Sequence, residues 1–189
     1  MKWLKMIGGE WKLIASALVA GAMLHIAATL YGANIAQSRA FTTLAGKLPI
    51  NEVVFADAVT PENQPLPFFA PGSFYSYCRY DASTARVGLT AKLPGIGWSL
   101  SLYTRKGENF YYVAGKDVRE TDVRLVLVPP GNLFVDASPA NTPQSGPAIP
   151  RVALPEAEGI AILRAPIKGH AFRRQADEQR GAFRCQSLQ

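Results

Sequence analysis

The sequence predicts a mainly β protein, an antiparallel β-sandwich or jelly-roll-like domain with an N-terminal transmembrane helix and a short C-terminal helix. Three observations carry that expectation. Residues 13–32 hold no Asp, Glu, Lys or Arg. Beyond residue 50 the chain breaks into short alternating apolar and polar runs punctuated by proline and glycine. Only one later stretch, near the carboxyl terminus, has helical spacing. A barrel built of similar strands is the alternative arrangement.

A length of 189 residues suffices for one domain with its own core plus a membrane segment, and is too short for two ordinary domains. The expected organisation is a cytoplasmic flank at 1–12, a transmembrane helix at 13–33, a stalk at 34–50 and a periplasmic β-domain at 51–189. In the flank Lys2, Lys5 and Lys12 outnumber Glu10, and Trp3 and Trp11 stand where interfacial rings belong. About 20 residues of helix, at 1.5 Å rise each, match a hydrocarbon core of roughly 30 Å. The next cation after the run is Arg39, so the excess of positive charge predicts a cytoplasmic amino terminus, inner-membrane single-pass placement and a periplasmic remainder. A cleaved signal peptide is the rival reading, but the run is long for one and its only small-x-small site, Ser38-Arg39-Ala40, lies far past the end. His25 within the span reads as a neutral imidazole facing a helix neighbour.

Past the span, Ile35, Phe41, Leu44 and Leu48 keep a loosely helical spacing until Pro49 stops it. Residues 51–58, with Val53, Val54 and Phe55, suit a short first strand, and Pro61, Pro65, Pro67 and Pro71 then mark a surface loop. Phe74, Ser76, Cys78 and Tyr80 alternate with Tyr75, Tyr77 and Arg79. After Asp81-Ala82-Ser83 a second arm alternates Val87, Leu89 and Ala91 with small or polar residues, so the pair reads as a hairpin. The stretch 97–115 is the clearest hairpin: Trp98, Leu100 and Leu102 face one way, Ser99, Ser101 and Tyr103 the other, Lys106-Gly107 turns, and the return arm is aromatic and β-branched. Residues 123–128 are branched aliphatics closed by Pro129-Pro130-Gly131 and suit a more fully buried strand. Residues 137–150 form a long Pro, Ser, Asn and Gly loop, and 159–164 a last strand ended by Pro166. The stretch from Gly169 suits a helix that turns Phe172, Ala176 and Phe183 inward and its arginines to solvent.

The formal charge of +6 would ordinarily raise nucleic acid, but a membrane accounts for the first basic cluster, and no nucleic-acid partner is expected across the membrane from the chromosome. The basic tail, from Arg164 and Lys168 to Arg184, reads as a solvated face balanced by Asp177 and Glu178. Ser99 lacks the glycine two positions on that a nucleophile elbow requires, and His170 is the only histidine outside the span to serve a triad. Gly95-Ile96-Gly97 precedes a strand rather than a helix, and Asp81, Glu108, Asp117 and Asp122 have no calcium-loop spacing. No catalytic residue, cofactor or metal is therefore expected. What stands out is the surplus of rings, more than one core face can hold; core and edge packing is the ordinary reading of such strands, and the other is a ligand or partner face formed from Arg79, Asp81, Trp98, Tyr103, Glu108 and Tyr111. Cys78 and Cys185, the only two cysteines, both follow the span; an oxidising compartment predicts a disulfide between them.

The motifs Leu93-Pro94, Gly97-Trp98-Ser99-Leu100-Ser101-Leu102-Tyr103, the turn Gly107-Glu108-Asn109-Phe110-Tyr111, Cys78-Arg79-Tyr80-Asp81 and the closing Cys185 resemble those of the bacterial family of unknown function numbered 1254. The short single-pass form found in alphaproteobacteria is the nearest in layout, and the likeness covers most of the chain beyond Asn51. The Trp-Ser-x-x-x-Tyr element is also similar to the core of the sibling family numbered 1214, which accompanies the first as a fused domain or neighbouring protein. The resemblance implies a β-domain behind a membrane helix and a sibling-family partner; it implies no catalytic residues. Together these readings predict a non-enzymatic binding or assembly module of the cell envelope, held to membrane lipid by its N-terminal helix. The alternative is an enzyme or enzyme subunit acting on an envelope carbohydrate or lipid, which would require polar groups converging near Trp98 and Tyr103.

Overall fold

A computed structural model describes residues 2–67, 69–117, 119–130 and 149–188, with the side chains of all but 2–10 and 33–38. The flank side chains Lys2, Trp3, Lys5 and Glu10, the stalk's Ile35 and the loop residues 137–148 lie outside that description. The chain divides into two compact units, Met1–Arg39 and Ala40–Gln189. Helix α1 (Lys2–Ala45) supplies most of the first and opens the second.

In the first unit, Trp11–Gly32 is 22 residues long with mean hydropathy 2.0, and none of it is buried. Leu18, Met23, Leu24 and Tyr31 are all exposed. Thr29 returns its hydroxyl to the His25 carbonyl at 2.8 Å, the usual way a hydroxyl in an apolar helix finds an acceptor. A helix that is apolar all round and covered by nothing is compatible with a membrane anchor.

The second unit is two sheets. The first has the order β1 (Val53–Phe55), β2 (Ser73–Asp81), β8 (Glu158–Pro166), β4 (Ser99–Thr104), β5 (Asn109–Ala114), antiparallel throughout. The second has the order β7 (Arg151–Ala153), β6 (Thr121–Val128), β3 (Arg86–Leu93), β9 (Arg184–Leu188), with only β6 and β7 parallel. Their facing sides share one core: Phe74, Tyr80, Leu100 and Leu163 from the first sheet meet Val87, Leu89, Leu125 and Leu127 from the second. The architecture is thus a β-sandwich, with helix α2 (Arg173–Arg180) between β8 and β9.

The hairpin at 97–115 forms as expected, with Leu100 opposite Val113, Leu102 opposite Tyr111 and a bulge between Leu102 and Tyr103. Thr104 organises its turn, its hydroxyl accepting from the backbone N–H of Lys106 at 3.2 Å and of Glu108 at 3.3 Å. Gly107 takes a left-handed φ of 83°, which explains glycine at that corner. Trp98, Leu100 and Leu102 face the shared core.

Three expectations are corrected. β2 and β3 are not a hairpin: β2 pairs with β1 and β8, while β3 pairs with β6 and β9 in the opposite sheet. Alternation reveals which residues face the core, but two strands facing one core from opposite sides alternate identically. The carboxylate of Asp81 accepts from the Ser83 N–H at 2.9 Å and the Ala82 N–H donates to the Ala157 carbonyl at 2.9 Å, turning the chain across the sandwich. Second, β6 is open on one side, with exposed Asp122 and Arg124 alternating with buried Val123 and Leu125. Third, the tail does not end on a helix. After α2 the chain forms β9, whose Cys185 lies opposite Leu89, and within the tail Arg180 is buried while Phe172 is exposed.

Candidate functional site

The first sheet is covered on both sides. On the side away from the sandwich core, Tyr75 and Tyr77 of β2 and Ile160 of β8 join Phe41, Leu44 and Leu48, from the last turns of α1 and the residues after it. Phe69, from the proline-rich loop, packs edge-on to Tyr75 with ring centres 4.5 Å apart. The loop therefore lies over the sheet, and Ser99 and Ser101, on the side opposite the core, are only 8% exposed each. Strands buried on both faces read as unbroken apolar runs. Phe74-Tyr75-Ser76-Tyr77 and Ile160-Ala161-Ile162-Leu163 carry that signal, which could have located this second layer.

Cross-strand register places Arg79, Ile160 and Tyr103 in one row on this outer side. The Arg79 guanidinium donates to Glu158 Oε1 from Nε at 2.7 Å, stands 2.5 Å from it through Nη2, and reaches the Ala45 carbonyl from Nη1 at 3.3 Å. A cation on a carbonyl of the last turn caps the end of α1. Glu158 is shared, its other oxygen 3.6 Å from Arg105 Nε, and the Arg105 guanidinium lies 5.6 Å from the centre of the Phe41 ring. Beside this row is an apolar cleft of about 240 Å³, walled by Phe41, Leu44, Leu66, Phe69, Ile160 and Ile162. Tyr103 and Thr104 close one side of it.

The six residues expected to form one face separate into several settings. Tyr103 lines the cleft, and Arg79 shares its row. Asp81 is held by Asn51, whose Oδ1 accepts from the Asp81 N–H at 2.9 Å and whose Nδ2 donates to the Asp81 carbonyl at 3.1 Å. Asn51 adopts a φ of 57°, a conformation asparagine tolerates better than most residues, and its Nδ2 also reaches Ser187 Oγ at 2.9 Å. Trp98 is a core residue, 4% exposed. Glu108 stands exposed in the hairpin turn, and Tyr111 packs its ring against the sandwich core, where burial pushes its phenol pKa up. Arg79, Asp81, Glu108 and Tyr111 thus do not converge on one pocket. Asn51, Arg105 and Glu158 do much of the positioning and were not singled out from the sequence.

Two further polar groups bear on this layer. Tyr80 donates its phenol to the Tyr103 carbonyl at 3.0 Å, and burial together with Glu156 and Glu158 raises its pKa well above the usual phenol value. Tyr77, behind Phe69, has a hydroxyl with no partner among the described residues, and burial first and Tyr75 second push its pKa far up. Both phenols stay protonated at any physiological pH. Among the described residues no group of three or more His, Cys, Asp or Glu could hold a metal ion.

Fold and site together define a disulfide-linked β-sandwich with an N-terminal apolar helix and an apolar cleft on its outer sheet. No family model and no curated protein matches the chain. Among solved structures, the crystal structure of the VPA0106 protein from Vibrio parahaemolyticus is similar, with a TM-score of 0.54 and 12% identity over 85% of this chain and 37% of that one. An uncharacterised protein from Burkholderia cenocepacia aligns with a TM-score of 0.43 and 12% identity over 80% of this chain and 39% of its own. The likeness to the Vibrio protein is one of fold, and this chain spans little more than a third of either neighbour's length.

Proposed function

We propose that this chain is a single-pass, membrane-anchored module of the bacterial cell envelope that binds or assembles with another component rather than catalysing a reaction. The observation that carries the reading is the bond between Cys78 and Cys185, which joins the two sheets with Cα atoms 6.4 Å apart. Structural disulfides persist in oxidising compartments, and both cysteines follow the apolar span. A periplasmic β-domain and a cytoplasmic amino terminus, with lysines ahead of the span, satisfy both constraints. The dispersal of Arg79, Asp81, Glu108 and Tyr111 favours a module over an enzyme, because catalysis needs its acid, base and binding groups around one reacting centre. We assign the chain, on its Trp-Ser-x-x-x-Tyr and Cys-Arg-Tyr-Asp motifs, to the short form of the family numbered 1254, with a sibling-family protein as its partner.

Crosslinking in intact membranes followed by pull-down of the full chain tests the reading. A stable protein neighbour is expected, whereas turnover of an envelope carbohydrate or lipid by the purified full chain would overturn it. Intact mass tests the anchor separately: a native chain beginning near Ala40 would refute it.

A further inference from the structure

The cleft on the outer sheet is built as an apolar receptor. None of its lining side chains carries a charge, and its walls come from four separate elements: the end of α1, the proline-rich loop, β8 and the β4–β5 hairpin. An engineered apolar cavity of about 150 Å³ already admits benzene. At about 240 Å³ this cleft has room for a longer run of carbons. The elements around it are tied in place by specific contacts. Arg79 fixes the last turn of α1 through the Ala45 carbonyl, Phe69 is propped on Tyr75, and the Tyr80 phenol ties down the Tyr103 carbonyl.

The identity of the occupant follows from where the chain is tethered. The apolar span ends at Gly32 and the first lining residue is Ala40, eight residues later. Eight residues reach at most about 27 Å even when fully extended. A domain tethered so closely to hydrocarbon meets acyl chains at a high effective concentration. We propose that this cleft takes an acyl chain of a membrane lipid. The inference rests on the anchored reading above, because without the anchor there is no tethered supply of lipid. A lipid seated beside Phe41 and Leu44 would couple the membrane surface to the turn of the β4–β5 hairpin, through Tyr103 and Thr104.

The test uses the full chain reconstituted in phosphatidylcholine vesicles carrying a photoactivatable diazirine midway along one acyl chain, with adducts mapped by peptide mass spectrometry. Adducts are expected both in the span and on the cleft walls, at Phe41 and Leu44 and at Leu66 and Phe69. Ile162→Trp and, independently, Leu44→Trp fill the cleft and should abolish the wall adducts while leaving those in the span. Retention of the Cys78–Cys185 bond and of the wild-type circular dichroism spectrum identifies which variant has folded. Adducts in the span with none on the walls of the wild-type chain would overturn the inference and leave the anchor standing. Wall adducts undiminished in a folded, filled variant would also overturn it, as would a protein crosslinked at the walls in native membranes in place of lipid. Absence of span adducts would remove the anchor, and the inference with it.

Discussion

The guanidinium of Arg180 lies 4.2 Å from the centre of the Phe74 ring, so a cation of the basic tail serves as a buried tie between α2 and the first sheet. Its Nη1 donates to the Ala56 carbonyl at 2.5 Å and to that of Tyr75 at 3.4 Å, and its Nη2 is 2.5 Å from Asp177. The residue is only 6% exposed, whereas Asp177 remains half open to solvent. Charge-assisted hydrogen bonds to carbonyls and a desolvated cation–π contact together make Arg180→Ala cost about 3 kcal/mol. Arg180→Lys keeps the charge but not the planar fork, and should recover only part of the loss. Thermal unfolding of the full chain in detergent measures both. An alanine variant that melts like wild type would reduce Arg180 to surface charge.

Gly159 of β8 lies between β2 and β4 at a point with no room for a side chain. It lies opposite Tyr80 on one side and Thr104 on the other, and a Cβ there would overlap the Tyr80 hydroxyl and the Tyr103 carbonyl oxygen. The need for glycine here is one of space, not of backbone angle. Gly159→Ala should destabilise by about 1–3 kcal/mol, the usual penalty of overpacking. Tyr80→Phe, which removes a single hydrogen bond, should cost about 1 kcal/mol. Combined, the two should lose less than the sum, because removing the hydroxyl relieves part of the overlap. Strict additivity in urea unfolding would show that the hydroxyl and the new methyl do not compete.

Trp98 anchors the hairpin to the sandwich core. Trp98→Ala should cost about 3–5 kcal/mol, the range for removing a large buried ring. That is a large share of a domain's usual margin. A variant with the wild-type melting temperature would mean that the indole does not support this core.

The hairpin and strands β2, β3, β6 and β8 were legible because period-two alternation and proline or glycine breaks report one-dimensional facts about the chain. Which strands share a sheet is not such a fact. Phe74, Cys78 and Tyr80 alternate just as Val87, Leu89 and Ala91 do, yet they belong to opposite sheets. β9 was hidden because Arg-Cys-Gln-Ser-Leu has neither a β-branched residue nor a ring; it holds its place by pairing with β3 and by Cys185. The cleft was hidden for a related reason. Its walls lie 41, 66, 103 and 160 residues into the chain, and only tertiary contact makes Phe41, Leu66, Tyr103 and Ile160 neighbours. Arg180 was misjudged because charge predicts exposure unless partners are known, and here they include carbonyls more than a hundred residues away in sequence.

Asp81 should titrate below the ordinary carboxylate range. The Ser83 hydroxyl contributes most and the Ser83 backbone N–H next, both favouring the ionised form over the opposing effect of burial. Because the folded-state pKa lies below the unfolded one, the stabilisation is complete above the unfolded value near 3.8 and is lost as pH falls through the lower, folded value. Ser83→Ala should raise the pKa by removing the first of those bonds and keep part of the depression through the second. Side-chain carboxyl chemical shifts followed through acid titration measure it. A titration at the ordinary value would mean that the Asp81-to-Ser83 turn is not populated in solution.

The Cys78–Cys185 bond closes a loop across 107 positions and joins β2 of one sheet to β9 of the other. Cys78 is fully buried and Cys185 nearly so, so the bond forms part of the core. For a loop of about a hundred residues the chain-entropy estimate is about 4.7 kcal/mol, an upper figure because residual structure in the unfolded chain reduces it. β9 is a five-residue edge strand paired on one side only, with β3, so the bond to β2 is its main further tie to the sandwich. Alkylation of the denatured, unreduced protein should add no label, and prior reduction should allow two. In the reduced chain, amide exchange should rise first along Arg184–Leu188, while the β3–β6 ladder, set deeper in the sheet, keeps its protection. Two labels without reduction would remove the bond, and with it the argument for an oxidising compartment. A uniform rise in exchange across both sheets would instead show that the bond supports the whole sandwich rather than its last strand.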